Sequence, residues 1–265
     1  MKVLVLFIAM VCAIACTTTE TILDFNLVEG SINKLDSAYV IFQEQAYRFP
    51  LDAQGKGTLK MNIKEDGFAI LVYGKLSTNI YLKQGNTLKV IWDKEDWRGG
   101  KMQVVSDDGG INEYIRLNIE KSFKKATECS FTLEEDSFMD KVEQTIRELS
   151  AGIDSTNFAP EIKDILKASS KYEVLYWIYK YPRFHNFGKR MSQEEYLAFK
   201  RFNEYMFDKF EAHPEYLCLT AYREYAVNWF YELMQLRCFG EPYILKKEKA
   251  CQYILEHVKN AELRE

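Results

Sequence analysis

The sequence is poor in the residues that most enzymes use for catalysis and metal binding. It contains only three histidines, which lie far apart, and none of its six cysteines forms a Cys-x-x-Cys pair. A dithiol redox motif, a His-Glu-x-x-His zinc site and a Gly-x-Ser-x-Gly nucleophile elbow are all absent from the sequence. We therefore predict no catalytic residue, no metal site and no cofactor, and we expect the chain not to be an enzyme.

An excess of positive charge is also missing. Lys and Arg number 35 against 39 Asp and Glu, which gives a formal net charge of -4 and a pI near 5.6. Because a phosphate backbone is held by clustered basic side chains, we predict no nucleic-acid partner. Hydrophobic residues make up 47% of the chain, which is enough to form a buried core.

The only long apolar run lies at the N-terminus and has the form of a signal peptide. Residues 3–14 are uncharged and number about a dozen, too few to span a bilayer but typical of a signal hydrophobic region. The run ends in Ala13-Ile14-Ala15-Cys16, which resembles a bacterial lipobox. We predict that residues 1–16 are a lipoprotein signal peptide with Cys16 as the lipidated residue. Plain secretion, with cleavage after Ala15 and a free thiol at Cys16, is the alternative.

Lipidation would attach the chain to a membrane of the cell envelope through its N-terminus. More than one acyl chain is needed for stable anchoring, and a lipoprotein cysteine carries more than one. Thr17 follows Cys16 in place of the Asp that favours retention in the inner membrane. We therefore expect an outer-membrane lipoprotein that faces the periplasm.

The cysteines beyond the signal peptide have two interpretations. An oxidising envelope permits disulfides, and a Cys218–Cys238 or Cys238–Cys251 bridge is one prediction. The other interpretation is that these side chains and Cys129 are small buried hydrophobic residues. A redox role for Cys218, Cys238 or Cys251 is a further alternative.

The character of the sequence changes near residue 107. Residues 22–106 contain short β-rich runs separated by Gly, Asn and Asp, whereas apolar residues after Asp107-Asp108-Gly109-Gly110 recur at helical spacing. This predicts an α+β fold with an N-terminal antiparallel β-sandwich at 17–106 and an all-helical domain at 107–265. The expected numbers are about seven or eight strands and about six helices.

Three sequence signals predict helix starts. Asn112 is predicted to cap the first helix, and Thr132-Leu133-Glu134-Glu135 resembles a capping box. Ser192-Gln193-Glu194-Glu195 is a second capping box, whose helix is predicted to continue to about Phe210.

The most unusual segment is residues 172–185, where aromatic side chains occur all round the predicted helix. Such a stretch normally packs into a helical core. The alternative is a surface that docks another protein or domain, with large aromatic side chains as anchors. The residues predicted for docking are Tyr172, Tyr176, Trp177, Tyr179 and Tyr181.

Two tripeptides, Asp36-Ser37-Ala38 and Asp154-Ser155-Thr156, resemble an O-glycosylation signal used on envelope proteins of some Gram-negative bacteria. Tripeptides of this kind also occur by chance. Both interpretations stay open at the level of the sequence.

Four of these features resemble the N-terminal, non-thioredoxin region of TlpA-like thiol-disulfide interchange lipoproteins. One is the lipobox that ends at Cys16, and another is the strand, Gly-Asn turn and strand of residues 80–90. The others are residues 110–114, which open the helices, and the helix with its Tyr-Pro and aromatic-His pairs at residues 171–185.

Members of that family continue into a thioredoxin-fold domain with a Trp-Cys-x-x-Cys motif, whereas this chain ends at Glu265, where that domain would begin. The resemblance implies the scaffold half of a thiol-disulfide oxidoreductase, as a truncated product or as a stand-alone relative. We expect an envelope lipoprotein that docks a thioredoxin-like protein or domain. The alternative is an envelope lipoprotein that binds a glycan or a peptide.

Overall fold

A computed structural model describes residues 20–28, 35–93, 102–185, 192–208 and 213–237. Strands come first and helices follow, so the predicted α+β fold is confirmed. The chain divides into two compact units, Met1–Tyr114 and Ile115–Glu265. In the described ranges, no helix combines the length and the apolar composition that crossing a bilayer requires.

The first unit contains two four-stranded sheets, with strand orders β4-β1-β7-β8 and β3-β2-β5-β6. Neighbouring strands are antiparallel, except that β1 and β7 run parallel. The strands are β1 (Thr21–Leu27), β2 (Ser37–Phe42), β3 (Gln45–Pro50), β4 (Lys56–Met61), β5 (Gly67–Tyr73), β6 (Leu76–Leu82), β7 (Thr87–Trp92) and β8 (Gln103–Val105).

Side chains from both sheets share one hydrophobic core. Strand β1 alternates buried and half-buried residues along its whole length, as expected when one face of a strand points into a core. The ring of Phe25 on β1 lies 6.4 Å from that of Trp92 in its own sheet and 6.0 Å from that of Phe49 in the other. The two sheets therefore pack face to face as a sandwich.

Within the described ranges the helices begin at residue 111. They are α1 (Ile111–Thr127), α2 (Glu135–Asp154), α3 (Pro160–Ile178), α4 (Tyr181–His185), α5 (Gln193–Leu197), α6 (Lys200–Asn203) and α7 (Thr220–Arg237). A π-helical turn (Glu204–Asp208) follows α6, and a 3-10 turn (Pro214–Tyr216) precedes α7. The last helix predicted from the sequence, after Pro242, lies outside the described residues.

The cap of α1 is Asp108 and not Asn112, so that prediction was wrong. The Asp108 carboxylate accepts hydrogen bonds from the backbone N–H groups of Gly110 (2.9 Å), Ile111 (3.0 Å) and Asn112 (3.2 Å). The Asn112 side chain lies in the first turn and binds the backbone of Tyr81 on β6. Its oxygen accepts from the Tyr81 N–H at 2.8 Å, and its nitrogen donates to the Tyr81 carbonyl at 2.7 Å.

The capping box predicted for α2 is also wrong. The residue before this helix is Glu134, whose side chain makes no capping hydrogen bond. The Thr132 hydroxyl is instead hydrogen-bonded to that of Ser130 at 2.8 Å. A Ser or Thr hydroxyl caps a helix only when its backbone stands at the first turn, and here the chain still turns through residues 131–133.

The capping box at Ser192 is confirmed, with both of its reciprocal hydrogen bonds to Glu195 present. Its helix, however, ends at Leu197 and does not continue to Phe210. The backbone N–H of Phe202 donates to Glu135 Oε1 on α2 at 2.7 Å, a bond that would otherwise go to the carbonyl four residues earlier. A side chain from another helix thus takes part in the break between α5 and α6.

Replacing Asp108 by alanine should lower the free energy of unfolding by about 2 kcal/mol, because three buried or half-buried N–H groups lose their acceptor. Urea denaturation of the two proteins measures this difference. The control is Asp107→Ala, which removes an exposed carboxylate next to the cap and should change stability by less than about 0.5 kcal/mol. Equal losses in the two variants would contradict the assignment of the cap.

Candidate functional site

A row of aromatic rings lies around the end of α3 in the second unit. The ring of Trp177 on α3 is stacked on that of Phe131, with centroids 5.8 Å apart and planes at 20°. Phe131 is stacked in turn on Phe184 of α4, at 5.5 Å and 18°. Phe123 of α1 meets Trp177 edge-on at 5.6 Å. We refer to Phe123, Trp177, Phe131 and Phe184 as the aromatic ladder.

The ladder is partly open to solvent. Phe184 at its end is 51% exposed, and the other three rings are half-buried. The neighbouring Leu133 is 36% exposed. Phe184 is thus the exposed ring of the row, and exposed apolar area of this kind can serve as a binding surface.

A positive charge lies beside the ladder. The Lys180 ammonium is 5.1 Å from the centre of the Trp177 ring, 5.7 Å from that of Tyr176 and 5.6 Å from that of Tyr179. Aromatic rings attract a cation through their negative faces, so these contacts hold the charge over the end of α3. The surface thus combines apolar ring edges with a fixed ammonium group.

Tyr181 lies beneath the ladder and belongs to the core. Its ring is fully buried and stacked on Phe138 of α2, with centroids 3.9 Å apart and planes at 12°. Its hydroxyl donates to the Leu133 carbonyl at 2.8 Å. Burial, with the nearby charges of Glu135 and Glu134, raises the pKa of the phenol, which keeps the hydroxyl protonated as a donor.

The five residues predicted for docking therefore fall into two groups. Tyr172 is 4% exposed and packs against Tyr222 and Tyr225, so it is a core residue like Tyr181. The structure brings the other three, Tyr176, Trp177 and Tyr179, to the half-exposed surface next to Lys180.

Sequence reasoning missed the contribution of Phe131 to this surface. Phe131 is an isolated aromatic residue in the connection between α1 and α2, with no periodicity to single it out. It joins the ladder because its carbonyl oxygen lies 3.0 Å from His185 Nδ1 and its ring is stacked between Trp177 and Phe184. No local pattern predicts such a contact between residues far apart in the chain.

The pKa values of the two described thiols lie above that of an ordinary cysteine. Cys129 carries a free thiol that is 1% exposed, and burial raises its pKa. Burial raises the pKa of Cys218 to about 11. Because the thiolate is the reactive form, neither side chain has the low-pKa environment of an exchange cysteine. Cys238 and Cys251 lie outside the described residues, so the disulfides proposed with them stay predictions.

No group of three His, Cys, Asp or Glu side chains within the described ranges is arranged to hold a metal ion. The candidate site is thus built from aromatic rings and one ammonium group. A surface of this composition can bind a partner through contact area and shape.

Comparisons with protein-family models, with curated proteins and with solved structures give no match to this chain. The resemblance to TlpA-like lipoproteins therefore stays a prediction from the sequence.

Alkylation by iodoacetamide should be slow at Cys218. At pH 8 a thiol with a pKa of about 11 is ionised to about 0.1%, against about 10% for one with the ordinary pKa of 9.0. Peptide mass spectrometry of the native protein should show an alkylation rate at Cys218 about 100-fold below that of glutathione. This rate should rise about tenfold for each pH unit.

The matched control is the same reaction in denaturant, where Cys129 and Cys218 should both react as fast as free cysteine. A native rate at Cys218 that equals the denatured rate would show a thiol with an ordinary pKa and would contradict the prediction. A native rate above the denatured rate would show an activated thiol and would reopen a redox role.

Proposed function

We propose that this chain is a lipid-anchored protein of the bacterial cell envelope that has no catalytic site of its own. In this proposal its helical unit docks a thioredoxin-like protein or domain through the aromatic ladder. The observation that carries the docking proposal is the half-exposed ring of Phe184, stacked on Phe131 and Trp177 next to the Lys180 ammonium.

The geometry of the ladder favours a protein over a glycan. A sugar stacks on an aromatic ring through a free ring face, and hydrogen-bonding groups beside that face orient it. In the ladder the facing surfaces of Trp177, Phe131 and Phe184 cover one another. The 51% exposure of Phe184 leaves apolar area at the end of the row, which suits the side chains of a protein partner with complementary shape.

The chemistry of the chain supports a partner that brings its own thiols. Thiol exchange needs a thiolate at neutral pH, and burial raises the pKa of both Cys129 and Cys218. Residues 171–185, on which the resemblance to TlpA-like proteins partly rests, also supply Trp177 and Phe184 of the ladder and the Lys180 ammonium group. A thioredoxin-like partner would supply the Cys-x-x-Cys pair that this sequence lacks.

The N-terminal sequence supports the anchoring. Ala13-Ile14-Ala15-Cys16 provides the small residues and the cysteine that lipoprotein processing uses, and acyl chains at Cys16 would insert into the membrane. The proposed place is the outer membrane, with the protein facing the periplasm.

The docking proposal predicts site-specific crosslinking at Phe184. The photoreactive residue p-benzoylphenylalanine placed there in the intact chain, expressed in its native bacterium, should form a covalent adduct with a protein of thioredoxin fold that carries Cys-x-x-Cys. Mass spectrometry identifies the adduct. The substitution should preserve the fold, because the ring is 51% exposed and contributes only part of its burial energy of about 2 kcal/mol.

The matched control is the same photoreactive residue at Val227, an exposed apolar position of α7 that is 68% exposed and outside the ladder. It should give no adduct. Equal adducts at the two positions, no adduct at Phe184, or a partner without a thioredoxin fold would each contradict the proposal.

The anchoring proposal predicts that Cys16→Ser abolishes incorporation of radioactive palmitate and moves the chain from the membrane fraction to the soluble periplasmic fraction. Cys12→Ser lies inside the proposed signal peptide and is the control, since it should leave both unchanged. Palmitate labelling that persists in the Cys16 variant would exclude this residue as the lipidated cysteine.

A further inference from the structure

The two tripeptides that resemble an O-glycosylation signal lie in very different environments. Ser37 is the first residue of strand β2 and is paired with Pro50 of β3. It is 7% exposed, and its hydroxyl donates to the Asp36 carboxylate at 2.9 Å. A large enzyme therefore has little access to Ser37.

Ser37 is buried, whereas Ser155 is exposed. It directly follows the last residue of α2, is exposed, and opens the short connection 155–159 that leads to α3. Its hydroxyl donates to the Gly152 carbonyl at 2.7 Å, a bond within a helix end that frays readily. Exposed connections are where proteins accept added groups and where modifying enzymes bind.

The surroundings of Ser155 are polar and charged. The Asp154 carboxylate, which is 57% exposed, lies 2.5 Å from Lys167 Nζ, and the Asp154 carbonyl accepts from Lys163 Nζ at 3.0 Å. A hydrated sugar attached here would displace no core side chain. The acidic residue of the tripeptide is also exposed, so an enzyme can contact both the carboxylate and the hydroxyl.

Thr156 is a less accessible hydroxyl in the same connection. It is half-buried, and its hydroxyl donates to the Ile153 carbonyl at 2.8 Å. Of the hydroxyl groups in the two tripeptides, the one on Ser155 is therefore the most open to a large enzyme.

We propose that Ser155 is an O-glycosylation site and that Ser37 is not one. The donor class is an oligosaccharide activated as a polyprenyl diphosphate ester. Ser155 Oγ attacks the anomeric carbon, a new carbon–oxygen bond forms, and the bond from that carbon to the diphosphate oxygen breaks. The hydroxyl proton passes to a base of the transferase, and polyprenyl diphosphate leaves.

The test is mass spectrometry of the intact chain purified from the envelope of its native bacterium. The peptide containing Ser155 should carry a glycan mass that is lost in Ser155→Ala and retained in Ser37→Ala. Asp154→Asn keeps the exposed connection and removes the acid, and it should abolish the modification as well.

Thr156→Val is the control for the neighbouring hydroxyl and should leave the glycan in place. A chain without added mass, a glycan on Ser37, or a glycan that persists in Ser155→Ala would each overturn the proposal. The inference needs export but not lipidation, so a Cys16→Ser chain that is secreted and glycosylated would separate this proposal from the anchoring proposal.

Discussion

Tyr181 has to meet two requirements at once in the helical unit. Its ring is fully buried on Phe138, and a buried hydroxyl costs about 1–3 kcal/mol unless it finds a hydrogen-bond acceptor. The Leu133 carbonyl meets that need and thereby fixes the connection between α1 and α2 against α4. That connection includes Phe131. The position of this central ring of the ladder therefore depends on the hydrogen bond from the Tyr181 hydroxyl to the Leu133 carbonyl.

The same physical logic explains why the ladder stays at the surface. Tyr181 and Phe138 already fill the space beneath it, in a core that also contains Phe202. Phe131 and Trp177 pack against this core and are only partly buried, because protein interiors are close-packed. The row of rings ends in the exposed Phe184, and the Lys180 ammonium lies beside Trp177.

The proposed function rests on the aromatic ladder and on the properties of the two described thiols. Burial raises the pKa of its two described thiols, while the row of aromatic rings ends in the exposed Phe184. A scaffold of this kind is useful next to a protein that performs chemistry, and a lipid anchor would keep both at the same membrane. The connection that begins at Ser155 is polar, whereas the ladder is aromatic. Glycosylation at Ser155 and docking at the ladder would therefore use chemically different surfaces.

The sequence by itself determined the class of fold, because period-2 and period-3.6 patterns are local: β1 alternates as a strand does, and Ser192 with Glu195 caps a helix. Tertiary structure alone decided that the Asn112 side chain binds the backbone of Tyr81, that Glu135 takes the Phe202 N–H, and that Tyr172 is buried while Trp177 is half-exposed. These outcomes depend on which distant group the fold places next to a donor, an acceptor or a ring. A local pattern holds no information about that placement.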